Sequence, residues 1–459
     1  MSTRMSSPPH ESPQTVNTMQ ALPQHSLLHH IAADWSPLRR RAFRLYFGGQ
    51  AVSLLGTWMQ ITAQSWVVWE LSHSMRAQGI VALLGSLPLV FCAPWAGAAA
   101  DRFDRRKLLV LAQVAAMLLA FALALLVQTG WIRLWHVYGL ALLLGIVAAV
   151  EIPAQQAFIG DLVGMAEIRK ALALNGIIVQ LGRTVGPTLA GWVIAHIGVA
   201  ETFWVNGVSF LAVIASLLAI RSTTTDHAPP SSATLGGFGE AVQYLLSQPR
   251  LLDLLVFTML AAFFVLSNLT IYPALATVVL QGDARTLGWL LGASGTGALI
   301  GSMLVTHLSR AVPRVGTALV GCTLWAGLMV TCNAGSRTLP VAVLCIVATG
   351  LAVPFIFTTA NGLMQMLAPA QMRGRLLSLL LMASFGLQPL VAIGVGWIGD
   401  RFGPSQALLI NGLCLIGGGL MMTGRRGLLG WQVGLAAHEE DATPSGVAPL
   451  RPGERLRAF

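Results

Sequence analysis

Residues 153–187 read PAQQAFIGDLVGMAEIRKALALNGIIVQLGRTVGP, and residues 354–389 read PFIFTTANGLMQMLAPAQMRGRLLSLLLMASFGLQP. Each stretch runs from an apolar segment into a short basic loop, then into a second apolar segment that reaches a proline. The loop carries Arg169 and Lys170 in the first copy, Arg373 and Arg375 in the second. The copies lie about 200 residues apart and face the same way. Two parallel halves of a duplicated helical membrane protein produce this pattern.

The rest of the chain is suited to lipid. Of its 459 residues 55% are hydrophobic and 10% are charged, against about 25% charged in soluble domains. The mean hydropathy is +0.70. A bilayer core takes about 20 apolar residues per spanning helix. Segments of that kind fall at about 42–70, 79–100, 108–128, 134–158, 172–195 and 201–220, then at about 251–276, 286–307, 315–334, 339–366, 376–399 and 405–424. The expected fold is an all-α membrane protein of about twelve transmembrane helices in two six-helix pseudo-repeat halves. The halves are residues 41–221 and 251–424, joined by a linker at 222–250 that contains Thr-Thr-Thr and Pro229-Pro230. Polar tails at 1–40 and 425–459 are expected to be disordered.

Basic residues set the orientation. Placing the N-terminus in the cytoplasm puts eighteen of them, such as Arg105, Arg106 and Lys107, in inner loops and ends, and only Arg76, Arg133, Arg285, Arg337 and Arg401 outside. That asymmetry predicts cytoplasmic tails and linker and an even number of spans. The net charge of +10 is thus a topology signal, and no nucleic-acid partner is expected. The five cysteines have no CxxC spacing and read as buried thiols with no metal role. No GxxxxGK[ST] phosphate loop, HExxH or serine elbow occurs, so neither ATP drive nor enzymatic activity is expected. No cofactor is expected either.

Polar residues inside the spans are candidates for a cavity. In the first span Gln50, Ser53, Thr57, Gln60 and Gln64 are spaced three and four apart, which places them on one helical face. Such a stripe is costly in hydrocarbon and has to meet protein or water. Phe257, Phe264, Asn268 and Tyr272 share a face of the seventh span, and Thr358, Asn361 and Gln365 recur in the tenth. The substrate cavity is expected at Gln50, Ser53, Thr57, Gln60, Gln64, Asn268, Tyr272, Asn361 and Gln365. Interhelical hydrogen bonding is the alternative for the first-span stripe, and core packing for the aromatic residues.

Ionisable residues are rarer still. Glu151 and Arg183 fall at comparable depth in adjacent spans, and an intramembrane arginine needs a partner. They are expected to pair and to take part in coupling. Asp161, at the inner end of the fourth span, is placed to pair with Arg102 or Arg105 as a latch.

Two motifs carry a family resemblance. Gly97-Ala-Ala-Ala-Asp101-Arg102-Phe103-Asp104-Arg105-Arg106-Lys107 resembles the loop signature of the major facilitator superfamily, with Asp104 where many members carry Gly. The DRxDRR form looks like the subgroup of the enterobactin exporter and macrolide efflux proteins, the transmembrane secretion effector type. Gly182-Arg183-Thr184-Val185-Gly186-Pro187-Thr188-Leu189-Ala190-Gly191 resembles the fifth-helix motif of proton-coupled exporters in that superfamily, with Gly182, Gly186, Pro187 and Gly191 in register. The resemblance covers about residues 40–425. It implies a monomeric secondary transporter in the bacterial inner (plasma) membrane. Such a protein exports a bulky amphiphile, such as a siderophore, macrolide or other drug-like compound, by proton antiport and alternating access. The gating loop would comprise Gly97, Asp101, Arg102, Arg105 and Arg106, with Asp161 opposite. An importer of the same fold remains open, as does a non-transporting membrane enzyme or assembly partner.

Overall fold

The structure, a computed structural model, describes residues 35–220, 236–308, 315–369 and 371–423, with helical backbone alone at 93–102, 236–238, 306–308 and 315. The tails from 1 to 34 and beyond 423, and linker residues 222–235, lie outside the described residues. All described regular structure is helical.

The first half comprises α1 (Arg41–Ser72), α2 (Met75–Arg102), α3 (Arg105–Gln128), α4 (Leu134–Val163), α5 (Ile168–His196) and α6 (Val199–Ala219). A short linker helix, Gly236–Ser247, follows. In the second half α7 begins as Pro249–Leu266; α8 (Ala284–Leu308), α9 (Val315–Ala334) and α10 (Leu339–Leu367) come next. Then come α11 (Arg373–Phe402) and α12 (Pro404–Thr423). Eleven of these helices are long and apolar enough to cross a membrane. The remaining one, α1, has 32 residues, and its glutamines and hydroxyls dilute an otherwise apolar run.

The duplication is visible in the packing. Helix α2 lies on α4 as α8 lies on α10; α3 packs on α6 and α4 as α9 packs on α12 and α10. The two halves meet along α2 with α11 and along α5 with α8. Even the buried amides repeat. Asn206 of α6 donates to Gln60 of α1 at 2.7 Å, and Asn411 of α12 donates to Asn268 of α7 at 2.7 Å. A buried amide without a partner costs about 1–3 kcal/mol, so each pair fixes the azimuth of the two helices it joins.

The copies differ in continuity. Helix α1 runs unbroken, whereas α7 passes through a 3₁₀ turn at Ser267–Thr270 and a π turn at Leu275–Val279. Pro273 explains the change: it offers no N–H to Leu269, and its ring crowds that carbonyl. Likewise α5 is continuous through Pro187, while α11 takes a π turn at Met382–Gly386 just ahead of Pro389. The seventh span expected over 251–276 is therefore interrupted by the turns at Ser267–Thr270 and Leu275–Val279.

Among the described residues the first half has three apolar clusters, one around Phe43, Leu109, Phe158 and Leu217, one around Val67, Leu123, Val137 and Phe203, and a small one at Ala116, Ala120 and Phe210. Gln50, Gln60, Gln113 and Asn206 are buried in this half, and Glu151 is half-buried.

Candidate substrate site

Three connected spaces open where the halves face each other. The largest, about 360 Å³, lies between α1, α2 and α4 and is closed by Leu269 and Thr270 of α7. Ile61, Ser65 and Leu269 form its wall with a second space of about 120 Å³, which adds Trp58, Arg183, Pro187 and Ser294. From there Arg183, Leu269 and Ser294 lead into a narrow crevice with Tyr272 and Thr349. The walls are mostly apolar with a few placed polar groups, the usual make-up of a small-molecule site.

Gln78 and Arg183, two of the polar groups in the walls, are held by contacts of the fold. Gln78 is buried; its Nε2 donates to the Ser65 carbonyl at 2.6 Å and its Oε1 accepts from Ser65 Oγ at 3.2 Å. The Arg183 guanidinium lies 5.9 Å from the ring centroid of Trp58, within cation–π range. Trp58 is held there by glycines of α5: a Cβ on Gly182 would come 2.8 Å from Trp58 Cδ1, and one on Gly186 2.7 Å from Trp58 Cβ. Farther along the same helix, a Cβ on Gly191 would come 2.6 Å from the Ala284 carbonyl oxygen at the start of α8. The Gly182–Gly191 motif is thus the surface on which α5 packs against both α1 and α8.

At the end of the bundle away from the basic loops, Asp400 of α11 caps α2 across the interface. Its carboxylate accepts from Ser74 Oγ at 2.6 Å, Met75 N at 2.6 Å and Arg76 N at 3.3 Å. At the basic end several ties join neighbouring helices. Arg105 Nη1 binds both oxygens of Asp161, at 2.7 and 2.9 Å. Arg106 donates to the Leu217 and Leu218 carbonyls at the end of α6, at 2.6 and 2.9 Å. Asp104 caps α3 by accepting from Arg106 N and Lys107 N. Arg375 reaches Glu240 of the linker helix at 3.1 Å.

Several expected placements change. Of the nine expected cavity residues, Gln64 and Tyr272 line these spaces. Gln60 and Asn268 are buried in their amide pairs instead. Gln50 and Ser53 are buried outside the three spaces, and the Thr57 hydroxyl donates to the Ser53 carbonyl. Asn361 is half-buried and Gln365 exposed, both away from these walls. The expected Glu151–Arg183 ion pair does not form. Glu151 Oε1 accepts from Gln113 Nε2 of α3 at 2.7 Å, while Arg183 lies beside the Trp58 ring. The expected pairing of Asp161 does form, with Arg105, and joins α3 to α4. The side chains of Gly97, Asp101 and Arg102 lie outside the described residues.

Ser65, Gln78, Leu269 and Asp400 were not singled out from the sequence. For Asp400 a signal exists: the G-x3-D-R-F of Gly97–Phe103 recurs at Gly396–Phe402.

The sequence profile of the transmembrane secretion effector family matches residues 32–438. The chain belongs to that family. Members of this branch of the major facilitator superfamily are transporters rather than enzymes, so this secretion effector is a multi-pass membrane transporter with the all-α fold expected of it. It is 26% identical over 370 residues to the multidrug efflux pump Tap of Mycolicibacterium fortuitum, covering 79% of this chain and 90% of that one. It is 26% identical over 388 residues to the enterobactin exporter EntS of Citrobacter koseri, covering 83% and 91%. Among solved structures it superposes on the nucleoside transporter NupG with a TM-score of 0.68 at 13% identity, covering 84% of this chain and 98% of that one. At that identity the likeness concerns the fold.

Proposed function

We propose that this secretion effector exports a small, bulky amphiphilic molecule, of siderophore, macrolide or other drug-like type, by proton antiport across the bacterial inner membrane. It works as a monomer with both ends in the cytoplasm. The observation that carries the reading is the α5 seam. Gly182, Gly186, Pro187 and Gly191 pack against α1 and α8, where one half has to rock on the other for alternating access. The names of the relatives, an efflux pump and a siderophore exporter, support the outward direction. The space of about 360 Å³ supports a drug-sized cargo, since such sites run from about 300 to 1,000 Å³.

Glu151 is the residue proposed to carry the proton, and Arg183 to act with it from the cavity side. A carboxylate in the middle of an apolar half is costly when charged, and its bond to Gln113 is kept by either protonation state. Proton uptake and substrate binding would thus act on the same six-helix body. Inside-out vesicles energised by respiration test this. They are expected to accumulate a fluorescent amphiphile until a protonophore is added, and Glu151→Gln is expected to abolish the dependence on the proton gradient. Accumulation that ignores the protonophore, or an unchanged pH dependence in Glu151→Gln, would refute antiport through this residue.

A further inference from the structure

We infer that the cavity selects amphiphiles carrying a negative charge, a carboxylate, sulfonate or acidic phenol attached to an apolar or aromatic body, and disfavours cations. This inference rests on the reading of the cavity as a transport site, but not on the direction of transport.

The argument starts from charge. Arg183 lines two of the three connected spaces. No Asp or Glu lines any of them, and among the described residues Arg183 takes part in no ion pair. Its nearest polar company is neutral: Tyr272, Ser294 and Thr349 in the crevice. Glu151, half-buried in α4, is engaged with Gln113 of α3. Arginine stays protonated in proteins, and a cation in a low-dielectric site without a counter-charge is unfavourable. The Trp58 ring face meets only part of that need. The guanidinium has five donors arranged as a fork that fits two oxygens at once. An oxyanion on the cargo supplies the missing charge and the acceptors together.

The surroundings define the rest of the cargo. The apolar walls around Ile61, Leu269 and Leu291 accept a hydrocarbon or ring body beside the guanidinium. The larger space, with Gln64 and Gln78, offers neutral amides for further polar groups. A cationic amphiphile in the same place would bring like charge against Arg183 with no carboxylate to receive it.

The test is binding to the purified full chain in lipid nanodiscs, using three fluorescent probes on one naphthalene scaffold: the carboxylate, its primary amide and the aminomethyl cation. The carboxylate is expected to bind about tenfold or more tighter than the amide, as a charge-assisted hydrogen bond gives, and the cation weakest. Arg183→Gln is expected to erase the difference between carboxylate and amide, with an unchanged melting temperature showing the fold intact. Arg183→Lys is expected to keep part of the preference. Equal affinities in the wild type, a preference for the cation, or a carboxylate preference that persists in Arg183→Gln would each overturn the inference. Carboxylate selectivity in nanodiscs together with no outward movement in vesicles would instead refute export and leave the inference standing.

Discussion

Asp400 gives the prediction with the clearest geometry. It belongs to the second half, yet it caps the first turn of α2 in the first half through Ser74 Oγ, Met75 N and Arg76 N. The bundle cannot open at that end without breaking these bonds. Removing an N-cap costs about 1 kcal/mol, and losing a negative charge at a helix N-terminus costs about 0.3–1 kcal/mol more. The carboxylate is exposed, so the lower part of that range applies, and the closed arrangement should lose about 1.5 kcal/mol in Asp400→Ala. That is about a tenfold shift in the ratio of closed to open states. Nitroxides at positions 131 and 337, in a background freed of the five cysteines, report it by pulsed electron resonance. Both positions lie in exposed loops at the Asp400 end, one on each half. Asp400→Ala should transfer population to a longer distance, and Ser74→Ala, which removes one of the three bonds, should transfer less. An Asp400→Ala distribution that overlays the wild type, in protein of unchanged melting temperature, would show that the bonds follow closure without favouring it.

Four further outcomes are expected. Asn411→Ala leaves the Asn268 amide buried and unpaired and should lower stability by about 1–3 kcal/mol; replacing both asparagines with leucine should recover much of it, as read by melting in detergent. Gly288→Leu should overpack the α5–α8 seam, where a Cβ already falls 2.6 Å from the Pro187 carbonyl oxygen, at about 1–3 kcal/mol, and lengthen the same 131–337 distance. The single changes Arg105→Asp and Asp161→Arg should each lower the melting temperature, and the double swap should restore it, for a coupling of about 1 kcal/mol given side chains 23% exposed. Asp283 caps α8: burial pushes its carboxyl up, but the bonds from Arg285 and Thr286 outweigh this and hold it below the usual carboxylate range. A carboxyl depressed on folding adds stability above its unfolded value of about 4 and loses it as pH falls through the folded value. Amide exchange at 285–288 should therefore quicken in acid, and Asp283→Asn should remove that acid dependence.

Much of the architecture was legible because bilayer thickness fixes helix length. An apolar run over about 108–128 became α3 at Arg105–Gln128, and the 153–187 and 354–389 copies took corresponding places in two halves. What could not be read was azimuth. Periodicity puts Gln60 on the same stripe as Gln64, but one faces Asn206, 146 residues on, and the other faces the cavity. Depth likewise suggested that Glu151 should meet Arg183. Packing instead gives Glu151 a partner on α3 and Arg183 a neighbour on α1. The proline at 273 was visible, but its effect lies upstream, at Leu269, where the freed carbonyl and the altered turn bring an ordinary leucine to the centre of the site.

The difference in continuity between the copies has a mechanical consequence. The first half, with α1 and α5 unbroken and its basic ends tied by Arg105 and Arg106, is stiff. The second has two helices, α7 and α11, with turns that depart from the regular hydrogen-bonding ladder, and both lie against the first half. Elastic compliance is therefore concentrated on one side of the molecule: a rigid jaw closes on one that can bend beside the cargo. Cargoes of different size would be accommodated by strain in α7 and α11, while α1 and α5 keep Trp58 and Arg183 in fixed register.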